Sequence, residues 1–464
     1  MTVKSVLERY GILLLILANC IFVYLNQSTY DSGDSILHYL QAKQSFEHPR
    51  YFMDHWAKPI FVLVSSTFAQ FGFIGMKFFN TICVLLSIYF SEKVLNHFKY
   101  RNAKLVWVLA LFSPHVFLVQ SSGLTEPLIA LVLIWGTLLY LKSHFVASLT
   151  LLSFLPFIRS EGWIMLLVVL CILVFQRRYK LIPLVAVGTI IYGIIGLFYY
   201  SDFLWMFHQN PYSGIESKYG SGDLFHFVNQ LPYIMGWPVV GLMVVGLFKN
   251  LKEIISSRFK LSTYHYFVVG MFLAILVAHS IFWYKGWFHS FGLKRVLLAV
   301  FPSMILLAFN GLQLINESIH SKRLRTIVTN SLAAVVVLFP FSGNKAGFSI
   351  PYDFQLDSSQ LVAQKAVSWY NENHTNQSVV SFGNYYFAEI LDVDIDDTKE
   401  VMLLDAVTNN SLPSGSIVFW DDYFSFSDKG VSQNTFTSDS YDLLHVTKAT
   451  QRNRTSEVRI YRRK

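Results

Sequence analysis

The chain has 464 residues, of which 53% are hydrophobic and 14% charged, with 41 Phe, and its mean hydropathy is +0.42. Soluble domains carry about 25% charged residues, so the composition excludes an ordinary soluble protein and reads as a polytopic membrane protein. The net charge of +8 does not point to nucleic acid, because the basic residues lie in short loops between apolar segments, where membrane topology alone puts them.

Lys4 and Arg9 precede an apolar run at 11–24. This is the pattern of a signal peptide and equally of an uncleaved first span, and it is read here as the span. A span needs about 20 apolar residues. Eleven segments qualify as candidates: 10–25, 75–96, 104–120, 126–142, 145–158, 162–176, 181–200, 233–248, 264–284, 296–312 and 326–341. Segment 59–71 is also apolar. Counting it as a span would place Lys93, Lys99, Arg101 and Lys104 outside, so the positive-inside rule makes it an interfacial helix. The loops that face outward are then 26–74, 121–125, 159–161, 201–232 and 285–295, and the C-terminus is outside too. Cys20, Cys83 and Cys171 all fall in apolar segments and read as packing residues.

The first outward loop, 26–74, holds Asp31, Asp34, His38, His48, Asp54, His55 and Lys58. Asp31 and Asp34 are three apart and share a face if a helix begins here, while Asp31 alone suits a helix N-cap. A carboxylate at the membrane surface can take a proton from a hydroxyl, and two together can hold a divalent cation. Next comes Thr125-Glu126-Pro127, a good helix start, with Glu126 also placed to face the same cavity as Asp34. Arg159-Ser160-Glu161 follows with almost no loop. Arg159 breaks the charge bias, so it either pairs with Glu161 or Glu126 or binds phosphate. Loop 201–232 adds Trp205, His208, Tyr212, Glu216, Tyr219, Asp223 and His226. Stretch 285–295 sets Lys285, His289, Lys294 and Arg295 among Trp287, Phe288 and Phe291. Its aromatics suit an interfacial belt. Two cations at a helix start oppose the helix dipole, so an anion is expected beside them. His48, His55 and His208 form no zinc signature, and phosphate-cradling loops, nucleophile elbows and dinucleotide fingerprints are missing from the sequence.

Composition turns polar near Phe341. Residues 342–464 are expected to form a small extracytoplasmic α/β domain, with a helix near 359–370 and strands near 378–382, 416–420 and 458–461. Residues 1–341 form the membrane module. Sequons at Asn373 and Asn376 matter only in a eukaryotic lumen.

Taken together, these elements resemble the GT-C type integral-membrane glycosyltransferases, the group of protein mannosyltransferases and lipid A aminoarabinose transferases. The residues that carry the resemblance are Asp31-x-x-Asp34 after the first span, the Lys58-Pro59 interfacial helix, Thr125-Glu126-Pro127, Arg159-Ser160-Glu161-Gly162, Gly292-Leu293-Lys294-Arg295 and the polar C-terminal region. The resemblance covers about three quarters of the chain. It implies an α-helical membrane fold of about eleven spans and an inverting transfer from a polyprenyl-phosphate sugar to a hydroxyl of a lipid, glycan or protein. It also implies a first-loop aspartate as base, Asp34 matching best and Asp31 second. Members often show Asp-Glu or Asp-x-Asp there, and His-Pro-Pro where this chain has Lys58-Pro59. In this reading Arg159, Lys285, Lys294 and Arg295 hold the donor phosphate, and Glu126, Glu161, His55, Lys58 and His289 bind substrate. No cofactor is required, because phosphate leaves without protonation; a divalent cation on Asp31 and Asp34 is the variant. The expected location is a bacterial plasma membrane, with the endoplasmic reticulum as alternative. A multi-pass transporter or lipid flippase is the rival, and it would carry ionisable groups at mid-membrane and inverted repeats. A structural envelope subunit is the third reading.

Overall fold

The computed structural model of the chain describes residues 3–212, 217, 219–258, 261–350, 352–374, 378–451 and 454–464, with side chains from residue 10 onward. Glu216, Lys260, the side chains of Lys4 and Arg9, and residues 375–377 of the sequons lie outside that description.

Helices dominate. In order they are α1 (Val3–Leu25), α2 (Asp34–Lys43), α3 (Pro59–Ala69), α4 (Phe73–His97), α5 (Leu105–Leu111), α6 (Pro114–Leu118), α7 (Glu126–Leu141), α8 (Phe145–Leu152), α9 (Gly162–Phe175), α10 (Val187–Tyr200), α11 (Trp205–His208), α12 (His226–Met235), α13 (Trp237–Ser256), α14 (Met271–Lys285), α15 (Phe301–Glu317) and α16 (Lys322–Leu338). Five helical stretches among the described residues are long and apolar enough to cross a bilayer: Phe73–His97, Tyr179–Tyr200, His265–Lys285, Lys294–Glu317 and Lys322–Phe341. A pair bent by 116°, Pro114–Ser121 and Glu126–Leu141, makes six. By this measure the count falls short of the expected eleven, for physical reasons. Tyr10–Leu25, Phe145–Phe157 and Gly162–Phe175 are apolar but short, and α13 carries Lys249, Lys252 and Glu253. The 11 residues of α3 rise only about 16 Å, too little to cross.

The tightest packing is between α13 and α15. A Cβ on Gly246 would sit 1.8 Å from Leu307 O, and one on Gly311 1.9 Å from Leu242 O. The two backbones touch through these glycines, the device by which small residues bring membrane helices together.

The break between α6 and α7 decides where the site falls. Residues 122–125 interrupt the helical hydrogen bonding, and their buried backbone groups need other partners. Asn80 of α4 donates to Ser122 O (2.6 Å) and Leu124 O (3.0 Å). Asn26 donates to Ser121 Oγ, Asn19 of α1 and Gln120 bond each other, and Gly123 N donates to Ser35 Oγ. A Cβ on Gly123 would lie 2.3 Å from Ser35 O. Only glycine therefore lets the break lie against the first turn of α2, beside Asp34.

Beyond the bundle lie α17 (Ser358–Asn373), β1 (Val380–Phe382), α18 (Tyr386–Leu391), β2 (Ile417–Asp421), β3 (Tyr441–Gln451) and β4 (Arg454–Arg463). The sheet order is β1-β2-β4-β3. β1 and β2 run parallel, Val380 opposite Ile417, and the other pairs are antiparallel. Asp357 starts α17 with a capping box to Gln360, and Gln360 Nε2 also donates to Thr29 Oγ1. This region sits on the first loop through Tyr39 to Glu389 (3.1 Å), Lys43 to Asp392 (3.0 Å), His48 to Asp394 (2.6 Å) and Arg50 to Asp396.

Candidate active site

The acidic and basic residues singled out in the sequence meet at the starts of several helices. Asp34 opens α2, Glu126 opens α7 and Glu161 precedes α9. Carboxylates are favoured at these positive helix ends. Arg295 sits at the start of the turn Lys294–Val300, an unfavourable end for a cation, and the anions expected there are protein carboxylates. Arg295 bonds Asp34 and lies 3.9 Å from Asp31 and 3.7 Å from Glu126. Arg159 is 2.8 Å from Glu126 and grips Glu161 with two bonds, 2.7 and 3.2 Å. His279 of α14 closes the row, 3.6 Å from Glu161. The result is an alternating ladder: Asp31 and Asp34, Arg295, Glu126, Arg159, Glu161, His279. Glu126 is 0% exposed and Asp34, at the mouth, is 46% exposed.

Local structure follows from short polar turns. Asp31 Oδ1 accepts from Gly33 N (2.8 Å) and, more weakly, from Ser35 N (3.5 Å), so Asp31 holds the turn into α2 while Gly33 occupies the cap position. Thr125 does not cap α7 with its side chain; its hydroxyl accepts from Arg159 Nη1 at 2.9 Å instead. Tyr30, at φ 66°, places its hydroxyl 2.9 Å from His115 Nδ1, tying the turn to α6. Neither residue stood out in the sequence, since an aromatic beside a loop carries no spacing signal.

Lys58 has a different environment. Asp54 Oδ1 accepts from Trp56 N and Ala57 N, both 2.7 Å. The chain then passes through Lys58 at φ 69°, a strained value for a residue before proline, and α3 starts at Pro59 without a side-chain cap. Lys58 is 6% exposed. Its ammonium donates to His55 O (3.1 Å) and Ser160 Oγ (3.3 Å) and lies 4.8 Å over the Tyr212 ring. Among the described residues no carboxylate pairs with it. Ser160 sits between Arg159 and Glu161, so Lys58 adjoins the ladder. Around it, His38 stacks on Trp56 at 4.6 Å and His55 meets Trp205 edge-on.

The electrostatics follow this geometry. Burial works to raise Glu161, but Arg159 and then His279 outweigh it and hold the carboxyl at about 2. Burial raises Asp31, reinforced by the charge on Asp34. Burial would raise Asp34 as well, but Arg295 and then His38 hold it below the usual carboxylate range. Burial depresses Lys58 to about 8 and His55 to about 4.

The remaining candidates lie to the side. Lys285 is exposed, with its ammonium over Tyr284 at 5.3 Å. Lys294 lies over Tyr233 at 5.9 Å. His289 adopts φ 51° with Nδ1 buried. His48, His55 and His208 go to three different places, beside Asp394, Trp205 and Asp202. The group among the described residues whose ligand atoms lie within 4.8 Å of one another is Glu47, His48 and Asp394, on the seam with the C-terminal region and apart from Asp31 and Asp34.

No protein-family model matches the chain, and none of the curated proteins matches it significantly in sequence. Among solved structures, ArnT from Cupriavidus metallidurans bound to undecaprenyl phosphate is similar with a TM-score of 0.59 at 12% identity, over 97% of this chain and 98% of that one. The same enzyme in the apo state gives a TM-score of 0.63 at 12% identity over the same shares. The likeness runs through membrane helices and C-terminal region alike, and the chain has the GT-C type fold of ArnT.

Proposed function

We propose that the chain is a glycosyltransferase that moves a sugar from a polyprenyl-phosphate carrier to a hydroxyl acceptor. The observation that carries this reading is Lys58: a buried ammonium with no carboxylate partner among the described residues, at an uncapped helix start, beside a ladder that ends in two carboxylates. Helix N-termini with a cation are anion sites, and a sugar phosphate is an anion that must lie within reach of a base. The fold supports the same substrate class, since the ArnT structure with this architecture holds undecaprenyl phosphate. Polytopic membrane placement suits a lipid carrier, and we place the site at the outer face of a bacterial inner membrane, with the C-terminus on that side.

The sequence alone assigned the phosphate to Arg159, Lys285, Lys294 and Arg295. Arg159 and Arg295 each hold two or more carboxylates, so in this reading they shape the site, and Lys58 with the first amides of α3 takes the phosphate. The acceptor hydroxyl attacks C1 of the sugar with inversion. Its proton passes to Asp34, the more exposed of the pair (46% against 26%). The C1–O bond breaks, and the polyprenyl phosphate leaves with the electron pair. A positioned base supplies about 10²–10⁴-fold. The negative charge of a phosphate bound beside Lys58 opposes ionisation of Asp34, which raises its basicity when the donor is in place. Arg295 already pairs with Asp34 and lies against Asp31, so a divalent cation there would have to displace a buried guanidinium; we expect transfer to survive chelation with EDTA.

The test is transfer of labelled sugar from polyprenyl-phosphate pentoses and hexoses by purified full-length protein. Loss by more than about a hundredfold in Asp34→Asn, with folding intact, identifies the base. Equal transfer by Asp34→Asn, Asp31→Asn and wild type would remove these carboxylates from the mechanism.

A further inference from the structure

The C-terminal region reaches the site through one turn. Asp421 ends β2 and accepts from the amides of Tyr423 (3.1 Å) and Phe424 (2.6 Å) and from the Ser425 hydroxyl (2.9 Å). These bonds project Tyr423 and Phe424 off the end of the sheet. A Cβ built on Gly33 would meet the Phe424 ring at 3.3 Å and Asp31 Oδ1 at 3.5 Å, so Phe424 packs on the turn that carries the two carboxylates. Tyr423 meets Phe424 edge-on with ring centres 4.9 Å apart, and Arg454 lies 4.8 Å over its ring. Asp31 and Tyr219 are near enough to act on the Tyr423 phenol electrostatically. Tyr219 in turn lies against Phe291, ring centres 4.4 Å apart. Four rings from three separate parts of the chain therefore frame the approach to Asp31.

We infer that Tyr423 and Phe424 form the wall that recognises the acceptor, and that the acceptor is a saccharide presenting its hydroxyl to the carboxylate pair. This rests on the glycosyltransferase reading and extends it to the second substrate. The C–H face of a pyranose is slightly positive and packs on the negative face of an aromatic ring, while its hydroxyls need polar groups at the rim. The wall supplies both: ring surface from Tyr423 and Phe424, and polar atoms from the Tyr423 phenol and Arg454. A serine or threonine peptide held as an added strand beside this turn would need a free edge there. β2, whose end carries the turn, is paired on both sides. In the transfer the saccharide oxygen forms the new bond to C1, its proton goes to the carboxylate, and the polyprenyl phosphate departs.

The experiment uses full-length protein with polyprenyl-phosphate donors carrying labelled sugar. The acceptor probes are p-nitrophenyl pyranosides, with a serine- and threonine-containing peptide as comparison. Wild type is expected to transfer to the glycosides. Tyr423→Ala should raise the glycoside KM about tenfold, the size of one aromatic contact, and leave the donor KM unchanged. Tyr423→Leu, which keeps apolar bulk without a flat ring, should match it, and Tyr423→Phe should recover most of the loss. An unchanged glycoside KM in the alanine and leucine variants, or transfer to the peptide and to no glycoside, overturns the inference while the transferase reading stands. If wild type releases sugar neither to any acceptor nor to water, both fall.

Discussion

Two cations set the chemistry of this site in opposite ways. Arg159 is spent on carboxylates, while Lys58 is held by a carbonyl, a hydroxyl and an aromatic face. Burial depresses Lys58 to about 8, so the free enzyme has a charged Lys58 below pH 8 and a neutral one above. The kcat/KM for donor is therefore expected to be flat on the acid side and to fall as pH rises through 8. Lys58→Arg, cationic at all these pH values, should carry the plateau to higher pH, whereas Lys58→Ala should lower kcat/KM at neutral pH by about 10²-fold. A pH profile identical in wild type and Lys58→Arg would exclude Lys58 from donor binding. Glu126 is the other residue with a sharp expectation. It is wholly buried between two guanidiniums, and Glu126→Gln takes from each one of the carboxylates it holds, leaving Arg159 with Glu161 and Arg295 with Asp34 and Asp31. A broken buried pair costs about 3–5 kcal/mol, which thermal unfolding in detergent would register as a large drop in Tm.

At the scale of elements, the break between α6 and α7 stands on borrowed hydrogen bonds. Asn80→Leu leaves Ser122 O and Leu124 O without their donor, at about 1–3 kcal/mol each. Activity should fall with stability, since the break carries Thr125 and Glu126; a variant with normal Tm and normal transfer would show that water replaces the amide. The turn after β2 gives a pH-dependent counterpart. Burial raises Asp421 to about 6 from an unfolded value of about 3.9. The protonated form is favoured in the fold, so this contribution is complete below the unfolded value and is lost as pH rises through 6, about 3 kcal/mol in all. Hydrogen-exchange protection of β2 should weaken from pH 4 to pH 7 in wild type and change less in Asp421→Asn. The sequence showed some of this and hid the rest. Asp34, Glu126, Arg159 and Arg295 were legible because charge is rare in an apolar chain and each lies in an outward loop or at the end of an apolar segment. Strands β1, β2 and β4 were legible from short β-rich runs. β3, reading Tyr-Asp-Leu-Leu-His-Val-Thr-Lys at its start, was not, because the register shift between Leu443 and His445 breaks the alternation that one buried and one polar face would give. Asn19, Asn26 and Asn80 were also silent. A single amide in an apolar helix looks the same whether it faces lipid or a broken neighbour. The pairing of Arg295 with Asp34, 261 positions apart, depends on how the bundle closes, which no local pattern encodes.

For the whole molecule, the seam between the C-terminal region and the first loop matters most. Three carboxylates two residues apart, Asp392, Asp394 and Asp396, face Lys43, His48 and Arg50 in order. Each pair is at least partly exposed and is worth about 0–1 kcal/mol, so the three together make an interface that salt weakens. Asp392→Asn, Asp394→Asn and Asp396→Asn combined are expected to raise protease sensitivity of the C-terminal region at low salt to the level wild type shows at high salt. Equal sensitivity of both proteins at low salt would locate the hold elsewhere, in Tyr39–Glu389 and Thr29–Gln360.

The polar girdle around the helix break also fixes an order of assembly. Asn19, Asn26, Ser35 and Asn80 all precede residues 119–125 in the chain, so as the ribosome releases the break its partners are already waiting in the membrane. The charges follow the opposite schedule. Glu126 emerges before Arg159, and both first-loop aspartates emerge long before Arg295. A nascent chain therefore carries these carboxylates without their arginine partners until its later helices arrive.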